Sequence, residues 1–242
     1  MPYLSLPNSD LQRVAFMRIS LAMAEKDALA TTPILGEELV IKLESNLTDF
    51  ATSYKLLDAS LSARQKEVLE KNEATGELSV FVRDFYEGLK RRTYRLHHPS
   101  SVLRLFGVTA EGDLPKLSGD ADLMEVARQI VLGDANAIIE GYVAMSNPTA
   151  AEVQDKLTAA EKEKAEVAPA DREYNRVQKE LESKREPVDD IIREISDTIQ
   201  FIKRKDSASS VRRLMRNYGF TYRYLKDEQV EEEVVKNENE QA

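Results

Sequence analysis

The chain has 242 residues, with no cysteine, no tryptophan and 2 histidines, and its formal net charge at pH 7 is -9. The absence of cysteine excludes disulfides, thiolate metal sites and cysteine nucleophiles. The small number of histidines excludes most zinc and non-haem iron sites. The acidic balance counts against general nucleic-acid binding.

The composition favours helices over sheets. Only 9 Gly and 8 Pro occur, and helix-forming Ala, Leu, Glu, Lys and Arg are abundant, while a hydrophobic fraction of 42% suffices for a core. The first ten residues do not form a signal peptide, and no uncharged apolar run approaches the ~18 residues that span a bilayer. We therefore expect a soluble, cytoplasmic all-α protein that does not insert into membranes.

The spacing of apolar residues predicts a first helix from about residue 10 to residue 29. Asn8, Ser9 and Asp10 precede it and offer capping side chains for its first turn. The segment 31–33 ends with Pro33, which breaks the helix because proline disfavours helical geometry in the residue before it.

Two further helical patterns follow. One runs from Leu39 to Val68 and fades near 72–76, and the next runs from Leu78 to Leu96. Ser100 is expected to cap a short helix that ends at Gly107 in a left-handed conformation.

The segment 108–119 reads as a linker, because it contains two glycines, a proline and few large apolar residues. A helical pattern then covers 123–139, and the segment 146–149 breaks it. A long polar helical region follows, which Pro169 interrupts and Pro187 ends or kinks. One helix over 148–185 would be about 57 Å long, so either Pro169 marks a turn or the protein is elongated.

The last elements are a helix over 188–204 and a shorter helix over 207–218, which Gly219 ends. From residue 226 onward the chain is acidic and lacks aromatic residues. This composition is typical of a disordered tail.

Four landmarks recur in the same order about 110 residues apart. They are LQRVAFMRI (11–19) with LMEVARQIV (123–131), Pro33 with Pro148, FVRDFYEGL (81–89) with IIREISDTI (191–199), and VLRLFGVT (102–109) with LMRNYGFT (214–221). Their shared order indicates a tandem duplication. We therefore predict two sequence-related antiparallel helical bundles, at 1–109 and 120–225, joined by a linker at 110–119 and followed by an acidic tail at 226–242.

Basic residues gather near the end of the third helix of each copy. We call the first group the N-cluster (Lys90, Arg91, Arg92, Arg95, Arg104, beside His97 and His98) and the second the C-cluster (Lys203, Arg204, Lys205, Arg212, Arg213, Arg216). They are candidate sites for phosphate, nucleic acid or an acidic protein, and the acidic tail of the chain itself is another candidate occupant. A purely structural explanation is that cations near a helix C-terminus offset the helix dipole.

Other candidate sites have simpler explanations. The adjacent His97 and His98 diverge by about 100° on a helix and do not suit a shared metal. Two carboxylate pairs, Asp84 with Glu87 and Glu194 with Asp197, lack the histidine that di-iron bundles require, so we expect them to form ion pairs on a solvated face. The acidic loop over 107–119 lacks the calcium-binding pattern.

The polar region 151–186 has a thin apolar stripe that includes Val153, Leu157 and Leu181. Its spacing allows coiled-coil packing against a partner or a second copy. It is also consistent with a solvated outer helix of the chain's own fold.

No motif for nucleophilic, phosphate-loop or metal catalysis occurs, so we expect no enzyme activity, cofactor or metal. Two functions remain. The first is a structural or protein-interaction module that binds a protein partner or assembles with itself. The second is a binder of nucleic acid or phosphate ligands through the two basic clusters.

Overall fold

The structure is a computed structural model that describes residues 2–29 and 33–224. The protein is mostly helical, as predicted. The elements in chain order are β1 (Tyr3–Ser5), α1 (Asp10–Ala28), α2 (Glu37–Arg95), α3 (Ser101–Arg104), α4 (Asp120–Ile139), α5 (Ala150–Ile202), α6 (Ala208–Asn217) and β2 (Thr221–Arg223). Within the described residues, no helix has the length and apolar character needed to cross a membrane. The predicted tail at 226–242 lies outside the described residues.

Short polar side chains start the helices where the sequence predicts. Ser9 Oγ accepts a hydrogen bond from the Gln12 backbone N–H at 3.2 Å at the start of α1, and Ser207 caps α6 in the same way. Before α5, the Glu152 N–H donates to Thr149 Oγ1 at 3.1 Å, and the Thr149 N–H donates back to Glu152 Oε2 at 2.8 Å. These bonds from Thr149 hold the pKa of Glu152 below its ordinary value.

Glycines end the last short helix of each half of the sequence. Gly107 has a φ of 79° and Gly219 a φ of 93°, which confirms the left-handed conformation predicted for Gly107. The prediction that Ser100 caps α3 is wrong. Its backbone is itself helical, with φ -60° and ψ -17°, and its side chain makes no capping hydrogen bond.

At three positions where the sequence suggests that a helix is interrupted, 72–76, Pro169 and Pro187, no helix ends. α2 continues through residues 72–76, where Thr75 is buried and its hydroxyl donates to the Lys71 carbonyl at 2.9 Å. α5 continues through Pro169 and Pro187 without ending at either. The packing of side chains along these helices outweighs the weak helix preference of the local residues.

The chain forms two compact units, and both long helices run from one unit into the other. Unit 1 comprises Met1–Leu57 and Val177–Ala242, and unit 2 comprises Asp58–Arg176. Each unit combines segments of both predicted bundles, 1–109 and 120–225, so the boundaries drawn from the sequence repeat differ from this division. The predicted linker at 110–119 belongs to unit 2, where Leu117 packs against the core.

The core of unit 1 is formed by α1, the first part of α2, the last part of α5, and α6 with the segment that follows it. Tyr218 is fully buried and its hydroxyl donates to the carboxylate of Asp27; burial, and then this bond, raise the pKa of Tyr218 above its ordinary value. β1 pairs antiparallel with β2 beside this core, with Leu4 opposite Tyr222. The sequence patterns did not predict these two short strands.

Unit 2 has its own core, formed by the last part of α2, α3 with the segment after it, α4 and the first part of α5. Phe85 and Phe106 are buried there, with their ring centroids 5.6 Å apart. The Tyr86 hydroxyl donates to the Phe106 carbonyl at 2.7 Å, and burial raises the pKa of Tyr86 above its ordinary value. The buried hydroxyl therefore stays protonated at neutral pH and satisfies a carbonyl next to Gly107.

Candidate functional site

The two predicted basic clusters lie in different units. The N-cluster belongs to unit 2, at the end of α2 and in α3, and the C-cluster belongs to unit 1, at the end of α5 and in α6. Residues 203–223 contain seven lysines and arginines and a single acid, Asp206, and residues 90–110 contain five lysines and arginines and no acid. Each unit therefore has one positively charged region, although the chain as a whole is acidic.

Two of the predicted cations have structural roles. Arg92 donates to the carbonyls of Ala144, at 2.9 Å, and Val143, so it holds the segment that follows α4. Arg216 donates to the Tyr224 hydroxyl at 2.7 Å and lies over the Tyr222 ring, 5.7 Å from its centroid. These guanidinium groups are occupied within their own units and are poor candidates for ligand binding.

Other cations of the clusters are available to a ligand. In the part of the chain that the structure describes, six of them are exposed and make neither an ion pair nor a side-chain hydrogen bond. They are Lys90, Arg95, Arg104, Arg204, Lys205 and Arg213. Among the remaining members, Lys203 lies 4.0 Å from Asp206, and Arg91 donates to the Glu87 carbonyl at 3.3 Å.

The C-cluster borders an open cleft of about 420 Å³, which we call the unit 1 cleft. The turn after α5 contributes Lys203 and Arg204, α6 contributes Arg212, and β2 contributes Tyr222. Burial raises the pKa of Tyr222, and this effect exceeds the lowering by the nearby charges of Arg212 and Arg216. The cleft therefore presents several cations and one acid, Asp206, beside a phenol whose hydroxyl donates to Met215 Sδ at 2.9 Å, so its net charge favours an anionic group.

The N-cluster borders a similar cleft, the unit 2 cleft, of about 510 Å³. Lys90 and Tyr94 from α2 and His97 and His98 from the following turn contribute to its walls. The His98 ring also meets Tyr142 edge to face, with centroids 5.0 Å apart. The two histidines thus border one cleft, but His98 is engaged with an aromatic ring rather than arranged as a metal ligand.

Exposed aromatic side chains accompany both clusters. Tyr94 is 85% exposed and Phe201 is 68% exposed, and the Arg204 guanidinium lies over the Phe201 ring, 4.5 Å from its centroid. The sequence analysis named Tyr94 but missed Phe201. The position of Arg204 three residues after Phe201, both within the helix predicted over 188–204, was the signal that could have identified this pair.

The carboxylate pairs lie in separate units, Asp84 with Glu87 in unit 2 and Glu194 with Asp197 in unit 1. The predicted ion pairing is confirmed only for Glu194, whose Oε2 lies 2.7 Å from Lys42 Nζ. Within the described residues, the side chains of Asp84, Glu87 and Asp197 make no ion pair.

A different acidic group was not predicted. Single oxygens of Glu67, Glu163 and Glu166 lie within 4.8 Å of one another. Lys162 pairs with both Glu163, at 3.0 Å, and Glu166, at 3.5 Å, so two of the three carboxylates share a counterion. The buried Oε2 of Glu67 accepts no hydrogen bond from the described residues.

Asp134 is the buried carboxylate of unit 2, at 6% exposure, and its Oδ1 accepts the Met145 backbone N–H at 3.0 Å. The cavity beside it has a volume of about 10 Å³, which is close to the minimum for a single water molecule. Asp134 therefore organises the loop before α5, and the cavity beside it is too small for a substrate.

The apolar stripe of the polar region packs inside the chain's own units. Val153 and Leu157 are buried in the core of unit 2, and Leu181 is buried in the core of unit 1. These side chains are not available to a coiled-coil partner, and the charged residues between them form the solvated face of α5.

Comparison with protein-family models, with curated proteins and with solved structures finds no match to this chain. Function therefore has to be inferred from charge, exposure and contacts. By these properties, the best candidate binding sites are the two clefts and the exposed aromatic side chains at the ends of α2 and α5.

Proposed function

We propose that the chain is a non-catalytic protein-interaction module that assembles with further copies of itself through the ends of α2 and α5. One observation carries this proposal: large aromatic side chains, Tyr94 and Phe201, are exposed beside arginine and lysine. Tyrosine, phenylalanine and arginine are enriched at protein interfaces, and exposed aromatic residues with an adjacent guanidinium are typical energetic centres of such interfaces.

The charge distribution favours a second copy as the partner. The net charge of the chain is -9, although residues 90–110 and 203–223 are strongly basic, so the remaining surface is acidic. A basic end of one copy is therefore electrostatically complementary to the acidic surface of another. A contact between two different surfaces can close into a ring or continue as an open assembly.

Light scattering and sedimentation of the full chain over a wide concentration range test this proposal. We expect a defined oligomer that weakens as salt is added. Replacing Tyr94 and Phe201 by serine together (Y94S, F201S) is expected to raise the dissociation constant by about tenfold or more, because truncating a central interface aromatic costs over about 1.4 kcal/mol.

A matched control uses Leu69 and Val80 of α2, which are 58% and 56% exposed and lie away from the clusters. The double variant L69S, V80S should assemble like the original chain. A strict monomer at every concentration, or equal weakening by the two double variants, would contradict the proposal.

A second candidate function is the binding of polyanions such as single-stranded nucleic acid. The specific observation in its favour is the set of exposed lysines and arginines that make no ion pair within the described residues, Lys90, Lys205 and Arg213 among them. Phosphates bind such cations by displacing counterions, and exposed Tyr94 and Phe201 provide rings on which bases stack.

A salt-dependent mobility shift with a single-stranded oligonucleotide tests the second candidate. The triple variant K90A, K205A, R213A should bind more weakly, and its affinity should depend less steeply on salt, by about one unit of log–log slope for each phosphate that is no longer neutralised. The control triple variant K55A, R172A, K179A removes the same charge from exposed positions outside the clusters. Equal loss of oligonucleotide binding in the two triple variants, or the absence of a mobility shift with the original chain, would show that the clusters are not a specific polyanion site.

We further propose that the chain arose by tandem duplication of a helical segment of about 110 residues. The repeated sequence landmarks support this, and so do equivalent buried positions. Leu78, Val82, Phe85 and Leu89 of α2 are at most 3% exposed, as are Val188, Ile192, Ile195 and Ile199 at the positions 110 residues later in α5.

A further inference from the structure

Each core is built from both halves of the chain. We call residues 2–109 the N-half and residues 120–224 the C-half. The described buried apolar residues of the unit 1 core comprise eight from the N-half and nine from the C-half, and those of unit 2 comprise eight and ten. Neither half therefore supplies a complete core on its own.

The exchange between the halves is reciprocal. In unit 1, α1 and the start of α2 from the N-half pack with the end of α5 and α6 from the C-half. In unit 2, α4 and the start of α5 from the C-half pack with the end of α2 and α3 from the N-half. Each half thus gives its first helix to one unit and its last helix to the other.

Contacts of the first helix in each half show the same reciprocity. In α1, Ser20 Oγ donates to the Tyr218 carbonyl, just before Gly219, at 2.6 Å. In α4, Gly133 lies so close to the Leu105 carbonyl, just before Phe106 and Gly107, that a Cβ there would be 2.5 Å from its oxygen. Each first helix therefore packs closely against the Gly-terminated end of the other half.

Ion pairs also join one half to the other in both units. Lys42 pairs with Glu194 at 2.7 Å and Asp49 with Lys184 at 2.7 Å in unit 1. Glu77 pairs with Lys156 at 2.8 Å and Lys71 with Asp120 at 2.8 Å in unit 2. Each pair has one partner in the N-half and one in the C-half.

We propose that the N-half and C-half are each other's binding partners, interlocked by reciprocal exchange of helices, and that their association does not require the connection at 110–119. Separating the halves would expose both apolar cores to water, which is strongly unfavourable. Apart from the packing of Leu117 against the unit 2 core, the connection contributes by raising the effective concentration of one half near the other. The surface that each half presents to the other therefore has one occupant, the complementary half of the same chain. The proposal does not depend on the self-assembly proposed above.

Cleavage of the folded full chain tests this inference. Residues 109–114 are exposed, so a protease recognition sequence can be inserted between Glu111 and Gly112 and cut after purification. The two fragments should elute together at the volume of the uncut protein and retain its helical circular dichroism. Their thermal midpoint should rise with protein concentration, because unfolding now separates two molecules. The chain without the inserted sequence, treated with the same protease, is the control.

Zero-length carbodiimide cross-linking of the uncut chain gives a second measurement that does not depend on the insertion. It should join Lys42 to Glu194 and Lys156 to Glu77 within one molecule at low protein concentration, and in the cut protein these cross-links should connect the two fragments. Separation into two individually folded fragments, loss of helical structure on cleavage, or cross-links confined to single halves would overturn the inference. Self-association of the whole chain through Tyr94 and Phe201 is a separate readout, so either proposal can fail without the other.

Discussion

Replacing Phe85 by alanine is expected to lower the free energy of unfolding by about 3–5 kcal/mol, the usual cost of removing a fully buried phenylalanine. Phe85 is 0% exposed in the core of unit 2. Its ring lies 5.6 Å from that of Phe106 and 6.4 Å from that of Tyr86, so truncation leaves a cavity among aromatic neighbours. Urea denaturation followed by circular dichroism measures the loss.

Phe81, one helical turn earlier on α2, provides a matched control. Its ring is only partly buried and carries Lys156 Nζ over its face, 5.4 Å from the centroid. F81A should cost about 1 kcal/mol, since a partly exposed ring loses less buried area and a cation–π interaction is weak in water. A loss for F85A no larger than that for F81A would show that the core is not packed around Phe85.

Local chemistry explains which parts of the fold the sequence predicts well. Ser9 and Ser207 begin helices and Gly107 and Gly219 end them because capping needs only residues within a turn of the helix end. The basic clusters are equally local, since consecutive lysines and arginines at the end of a helix share one region of the surface.

Distant partners explain the breaks that were predicted but do not occur. Pro169 lies in α5 two residues before Asp171, whose carboxylate pairs with Arg64 of α2, more than a hundred residues earlier in the chain. Arg64 also lies over the Tyr174 ring, 5.4 Å from its centroid. Such contacts support α5 through a residue that would otherwise end it, and no local window contains them.

The exchange of helices between halves could not be predicted for a different reason. Equivalent positions in the two halves, such as Leu89 and Ile199, are both apolar and both buried. Packing within a half and packing between halves therefore satisfy the same sequence pattern. Packing between halves occurs because α2 and α5 are continuous helices. Their continuity prevents each half from folding back on itself at the predicted breaks.

The candidate site was predicted only in part for a similar reason. The sequence places Arg92 and Arg216 in the basic clusters but cannot show that they are held by Val143 and Tyr224. Exposure separates the cations that remain available, such as Lys205, from those with a structural role. That distinction depends on packing partners that lie on other elements.

Replacing Gly133 by alanine should destabilise the protein, whereas the same change at a glycine inside another helix should stabilise it. Alanine is ordinarily favoured over glycine in a helix interior by about 1 kcal/mol. At Gly133, however, a Cβ would lie 2.5 Å from the Leu105 carbonyl oxygen and 2.8 Å from Phe106 Cδ1. The backbone at Leu105 cannot move without disturbing the core. We therefore expect the free energy of unfolding to fall by about 1–3 kcal/mol, as in other overpacked interiors.

Gly76 supplies the comparison, because it lies inside α2 and a Cβ there would meet nothing within 4 Å. G76A should raise the urea midpoint and G133A should lower it, with the denaturant slope unchanged in both. In unit 1, α1 instead has Ser20, whose hydroxyl donates to the Tyr218 carbonyl at 2.6 Å. The first helix of each half therefore approaches the other half through a different contact, a hydrogen bond in unit 1 and a glycine in unit 2. Stabilisation by G133A would contradict the close approach of α4 to Leu105 on which the exchange of helices in unit 2 depends.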